Sequence, residues 1–207
     1  MAMSASQKQA SSPQYELLYH PGIPGRGEYI RLPLEAARVS YSDPANEKEG
    51  GYKAVLAACD RSSTGDEDGN PPIFCCPALR AHGEGKNGTT LLIHQTPNIL
   101  LFLGPKIGMA PDNDEVAKLY INQLTLTVLD FTNEVHDTHH PVGMMLYYED
   151  QKEESLRKAK DFRENRLPKF LAFFERVLKG NKEGEGKYLV GDKLTYADTS
   201  LWQTIDG

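Results

Sequence analysis

Tryptophan occurs once and cysteine three times in 207 residues, and no apolar run approaches the roughly 18–20 residues that would span a bilayer as a helix. Three cysteines, Cys59, Cys75 and Cys76, cannot pair off as a disulfide framework, and sequence neighbours bridge each other only under strain. The expectation is therefore a reduced, cytoplasmic chain with no membrane partner. A surplus of basic charge is also missing. Lys and Arg number 23 against 29 Asp and Glu, a formal net charge of −6, which weighs against a nucleic-acid partner. The first 13 residues, MAMSASQKQASSP, lack the apolar segment of a secretory signal and read as a disordered leader, 1–13. What remains has 39% hydrophobic and 25% charged residues, an ordinary globular composition long enough for one large domain or two small ones.

The hydrophobic pattern changes character partway along the chain. Gln14–Tyr19 is strand-like and ends in the cluster PGIPG. Apolar spacing from Arg26 to Val39 suits a helix, in which Pro33 should cause a kink or mark a boundary. A weak strand near Val39–Ser42, a short helix over Gly51–Cys59 and a loop over Arg61–Pro72 follow. Two strands, Ala78–Ala81 and Thr90–His94, flank the turn-rich HGEGKNG, and Thr96-Pro97 opens a helix to about Ile107. The order is βαβαββα. Beyond it, Asn113–His139 and Glu149–Gly180 have helical spacing, a further helix starts at Thr195, and no strand is evident. The expectation is an α/β domain over 14–108, a linker at 109–113 and an all-helical domain over 114–207. The last stretch reads as the opening of a helix, so this domain is expected to be incomplete at its C-terminal end.

Several residues could carry chemistry. Tyr19 ends a strand just before a helix, where its hydroxyl can meet free N–H groups; a half-buried strand tyrosine looks the same in sequence. Cys76-Pro77 places a proline at the entrance to a strand, with either peptide isomer open. The adjacent thiols lack a CxxC pattern or a fourth ligand at metal spacing, so buried structural cysteine is the simpler reading. Thr96 suits an N-cap and Pro97 a first helical position, and such a helix start can hold a carboxylate. Thr195 and Asp198 form a T-x-x-D start approximating a capping box. His136, His139 and His140 fall at helical spacing, where a metal is conceivable. Cations at a helix C-terminus stopped by Pro141 explain them as well.

Each signal is weak alone, but their order is specific. The runs YELLYHPGIPGRGEYIRLPLEAARVSY, then Cys-Pro, then LLIHQTPNILLFLG, then LVGDKLTYADTSLWQTIDG together resemble the cytosolic glutathione transferases. The likeness covers most of the chain from Tyr15 onward. It is strongest to the tyrosine-type classes, and NQLTLTVLDFTNEVHDTHHPV is similar to fungal members. The resemblance implies an N-terminal thioredoxin-like domain that binds glutathione, followed by an all-helical domain that supplies most of the second substrate's pocket, in a homodimer. It implies glutathione as co-substrate, no metal, and conjugation to small electrophilic, largely apolar compounds in detoxification or secondary metabolism. A transferase-like binding or scaffold domain, or a glutathione-dependent isomerase or ether-cleaving enzyme, are the alternatives.

Residue by residue, the resemblance makes Tyr19 the catalytic hydroxyl and Arg26 the arginine opening the first helix, after a loop one residue longer than the commonest pattern. Cys76 precedes the matching cis-proline, Pro77, and its backbone would pair with the cysteinyl part of glutathione. Gln95 and Thr96 would take the γ-glutamyl end, Lys53 the glycyl carboxylate, and Thr195 and Asp198 the structural capping box. The stretch Gln123–Thr127 has no carboxylate where the family has an aspartate reaching across the dimer. The chemistry is feasible on general grounds. A free thiol of pKa about 8.5 is about 3% thiolate near neutral pH. A shift of about two units, or ~2.7 kcal/mol, lies within one hydrogen bond to a charged group (about 1.5–3 kcal/mol) plus a helix N-terminus (about 0.3–1 kcal/mol).

Overall fold

The computed structural model describes residues 13–206; most of the leader expected at 1–13 lies outside them. Strand β1 (Tyr15–Leu18) leads through the Pro/Gly cluster into helix α1 (Gly25–Ala36). Next come β2 (Tyr41–Ser42), a single turn α2 (Pro44–Glu47), α3 (Tyr52–Ala58), β3 (Ala78–Ala81), β4 (Leu91–His94) and α4 (Thr96–Lys106). The remaining helices are α5 (Glu115–His136), α6 (Lys152–Asp161), α7 (Leu167–Gly180) and α8 (Tyr196–Asp206). Among the described residues no strand follows β4, and no helix is long and apolar enough to cross a membrane.

The strands form one mixed sheet in the order β2-β1-β3-β4. β1 runs parallel to β2 and antiparallel to β3, which is itself antiparallel to β4. Parallel neighbours need a crossover, and α1 supplies it, whereas β3 and β4 can be joined by a short turn. Central β1 is apolar on both faces: Tyr15, Leu17 and Leu18 are all buried, as expected of a strand covered from two sides. Glu16 is partnered across the ladder by Arg80, 2.7 Å away. Two differences from the sequence pattern have simple causes. α1 runs through Pro33 without a break, because proline removes one hydrogen bond and the next turn closes regardless, Ala37 N–H donating to Pro33 O. The stretch around Asn46 holds the extra turn α2, which begins with Pro44 at a first helical position.

By packing, the described chain divides into two compact units: residues 13–27 with 38–95, and residues 28–37 with 96–206. The first holds the sheet. The second is wholly helical, with a core built on Phe131, whose ring stacks on Phe170 at 4.7 Å and on Phe162 at 6.0 Å between centroids. Ile121, Leu124, Val128, Tyr196, Ala197 and Leu201 belong to the same core. A π-helical turn, Phe162–Arg166, joins α6 to α7 and turns Arg166 onto Glu134 in a two-pronged ion pair, 2.7 and 2.6 Å. Tyr29 ties the unit's polar interior, its hydroxyl lying 2.8 Å from both Thr132 and Thr204.

Candidate active site

The site begins where β1 ends. Tyr19, the residue after the strand, is 7% exposed, and its hydroxyl oxygen accepts the Arg26 N–H at 2.8 Å. That N–H belongs to the first turn of α1, where backbone donors have no intrahelical partner. The tyrosine oxygen satisfies one of them and sits at the positive end of the helix dipole. Glycine makes this approach possible. A Cβ on Gly27 would lie 2.5 Å from the Tyr19 ring, and one on Gly25, whose φ is +43°, would collide with its hydroxyl. The loop between β1 and α1 is held by Gly22 N–H donating to the Asn46 side chain at 2.9 Å.

Beside Tyr19 lies a group that the sequence did not point to. His20 meets Cys76 through Nε2 at 3.2 Å and the Tyr52 hydroxyl through Nδ1 at 2.8 Å. Its ring stands edge-on to Tyr19, centroids 5.3 Å apart. Burial, with the neighbouring Cys75 and Cys59 sulfurs adding to it, pushes the Cys76 thiol up to about 12. Burial raises Cys59 as well. Cys76 is thus held protonated, and the His20 ring bridges it to the Tyr52 hydroxyl. A thiol raised in this way is a poor nucleophile. The only sequence signal was adjacency: His20 follows Tyr19 directly, but Cys76 is 56 positions away.

The Cys76–Pro77 peptide bond is cis, and Pro77 leads directly into β3. Gln95, between β4 and α4, is exposed and has φ +71°, a left-handed conformation that costs a residue other than glycine on the order of 1–3 kcal/mol. Such strain persists where the surroundings impose it, and it clusters at ligand sites. Thr96 opens α4 at 2% exposure. Its hydroxyl has no hydrogen-bond partner among the described residues, an unusual state for a buried polar group. Lys53 is exposed on α3, next to Tyr52.

At the start of α8, the Asp198 carboxylate accepts Thr195 N–H at 2.8 Å, the Thr195 hydroxyl at 2.7 Å and Leu189 N–H at 2.7 Å. Asp198 therefore pins the preceding loop as well as the helix start. Burial nonetheless raises its carboxyl above the usual range.

A mixed sheet in the order β2-β1-β3-β4 with a single parallel pair, followed by a bundle of helices, defines a thioredoxin-like domain joined to an all-helical one. Known proteins agree. The family model for the glutathione S-transferase C-terminal domain matches residues 136–207. Glutathione S-transferase P 1 of Xenopus laevis is 30% identical over 190 residues, which cover 91% of this chain and 74% of that protein. Among solved structures, a Fasciola hepatica sigma class transferase shares the fold with a TM-score of 0.65 and 21% identity over 94% of this chain and 79% of its own. Prostaglandin synthase D of Nilaparvata lugens does so with a TM-score of 0.64 and 22% identity, covering 94% of this chain and 80% of that one. The chain belongs to the glutathione S-transferase family.

Proposed function

We propose that this protein is a tyrosine-type glutathione transferase that activates the glutathione thiol and transfers it to small, electrophilic, largely apolar compounds. The observation that carries this reading is the Tyr19 hydroxyl, buried at the end of β1 and accepting the Arg26 N–H of α1. A hydroxyl whose oxygen already accepts from a helix start is a stronger donor through its own proton, because negative charge gathering on the oxygen is stabilised. Directed at a bound thiol, it favours the thiolate, the nucleophilic form. The reaction then needs only displacement or addition at an electrophilic carbon: in displacement, the sulfur–carbon bond forms as the leaving group departs with its electron pair.

Glutathione is held, in this reading, by the 14–108 domain. The Cys76 backbone pairs with its cysteinyl unit, and Gln95 and Thr96 take the γ-glutamyl end. The unpartnered Thr96 hydroxyl and the strained Gln95 backbone support that assignment. Lys53 is the proposed partner of the glycyl carboxylate, and 109–113 the linker to the helical domain. The protein is proposed to act as a cytoplasmic homodimer in detoxification or secondary metabolism.

The test is conjugation of glutathione to a chloro-nitroaromatic, wild type against Tyr19→Phe, with the thiol titrated by ultraviolet absorbance. Losing a stabilisation of ~2.7 kcal/mol predicts a fall in kcat/KM of roughly 10²-fold and a bound thiol returning toward about 8.5. Full activity with an unshifted thiol pKa in the variant would overturn the role of Tyr19. Glutathione binding without any conjugation by the wild type would favour a binding domain instead.

A further inference from the structure

Three segments that the proposed glutathione site draws on meet at one imidazole. His20 directly follows Tyr19 at the end of β1, Cys76 begins the cis peptide bond before β3, and Tyr52 opens α3 beside Lys53. His20 Nε2 lies 3.2 Å from the Cys76 sulfur, and Nδ1 lies 2.8 Å from the Tyr52 hydroxyl. A neutral imidazole has one donor and one acceptor nitrogen, and a thiol and a phenol can each serve as either. Both contacts are therefore hydrogen bonds in either tautomer. With both nitrogens engaged, the ring is fixed in place and is not a free base.

The consequence falls on Cys76. Among the described residues, 59–77 hold no helix or strand, so the sheet ladder fixes the Cys76 backbone from one side, through Ala78. The bond from His20 anchors the same residue by its buried side chain, 8% exposed. His20 is itself seated between the end of β1 and Tyr52, its ring edge-on to Tyr19 with centroids 5.3 Å apart.

We infer that His20 is a positioning residue of the glutathione site, holding the Cys76 backbone in place through the Cys76 side chain and oriented by the Tyr52 hydroxyl. The inference rests on the proposed pairing of glutathione with the Cys76 backbone. A group placed in this way acts on the binding of glutathione. Activation of the bound thiol stays with the Tyr19 hydroxyl.

The experiment measures glutathione binding by calorimetry and conjugation kinetics on the full chain and its variants. His20→Phe keeps a ring against Tyr19 and removes both hydrogen bonds. It should weaken glutathione binding by about tenfold and raise KM for glutathione in step. Its kcat at saturating glutathione should stay within about twofold of wild type, with the bound thiol titrating as in wild type. His20→Gln sets an amide near the Nε2 position and His20→Asn one near Nδ1. Because the Cys76 bond carries the effect, His20→Gln should recover most of the lost affinity and His20→Asn little. Tyr52→Phe should weaken binding by about threefold. Circular dichroism checks that each variant is folded; if His20→Phe is not, the contrast between His20→Gln and His20→Asn decides. His20→Phe binding like wild type, His20→Asn recovering as much as His20→Gln, an unchanged Tyr52→Phe, or a fall confined to kcat overturns the positioning role and leaves that of Tyr19 standing. Failure of the wild type to bind glutathione overturns the glutathione reading and this inference with it.

Discussion

Single residues set the charge balance that pH tests. The Arg166 guanidinium, hydrogen-bonded to Glu134 and attracting it, holds that carboxyl below its usual range. A depressed carboxyl stabilises the fold above its unfolded value, about 4.3, and the contribution is lost as pH falls through the lower folded value. Because the pair is partly exposed, with side chains at 35% and 25%, screening keeps the effect small. Glu134→Gln should lower Tm by about 1–3 °C at neutral pH, with the difference from wild type vanishing in acid. A thermal melt at several pH values checks this. Asp198 has the opposite sign. Burial raises its folded value, so its contribution is present at low pH and fades as pH rises through that value. An Asp198 variant should therefore not show the acid-side convergence expected of Glu134→Gln.

At the scale of elements, the close approaches decide what can be substituted. Gly104 on α4 lies against Tyr196 of α8, where an added Cβ would stand 2.6 Å from the ring. Tyr196 is 1% exposed, and burial pushes its phenol up to about 12. Gly104→Ala should cost about 1–3 kcal/mol through overpacking. At Gly180, the last residue of α7, an added Cβ would meet nothing within 4 Å. Gly180→Ala should therefore be neutral or stabilise by about 0.5–1 kcal/mol, the helix cost of glycine. Chemical denaturation of the pair measures both, and equal effects at the two positions would contradict the packing account. Gly25 and Gly27 belong to the same class, except that they admit the Tyr19 ring rather than a core residue.

For the molecule as a whole, the exposed face of α5 bears on assembly. Val116, Leu119, Tyr120 and Leu126 are 55%, 65%, 50% and 44% exposed, at spacings that put them along one side of the helix. A run of large apolar residues in water favours a partner, and the proposed homodimer would supply one. Sedimentation at micromolar concentration should give twice the chain mass. Leu119→Glu should shift the protein toward monomer while leaving its circular dichroism unchanged. A monomeric wild type would dismiss the homodimer.

Much of this protein was legible in its sequence, because local physics writes local patterns. Alternating and helical apolar spacings marked the α/β half and the helical half. Thr96-Pro97 marked the start of α4, and Tyr19 marked the end of β1 beside a glycine-rich turn. These features depend on neighbours a few positions away. What the tertiary structure alone decided depends on groups far apart in the chain. The His20–Cys76 contact joins residues 56 positions apart, and the Arg166–Glu134 pair joins residues 32 apart. The reading of His136, His139 and His140 as one set gave way to a stacked pair, His136 with His140, and an outlier, His139, whose ring meets Tyr148. A one-dimensional pattern shows which residues can share a face. Which partner a ring meets is settled only when folding brings the competing groups within reach.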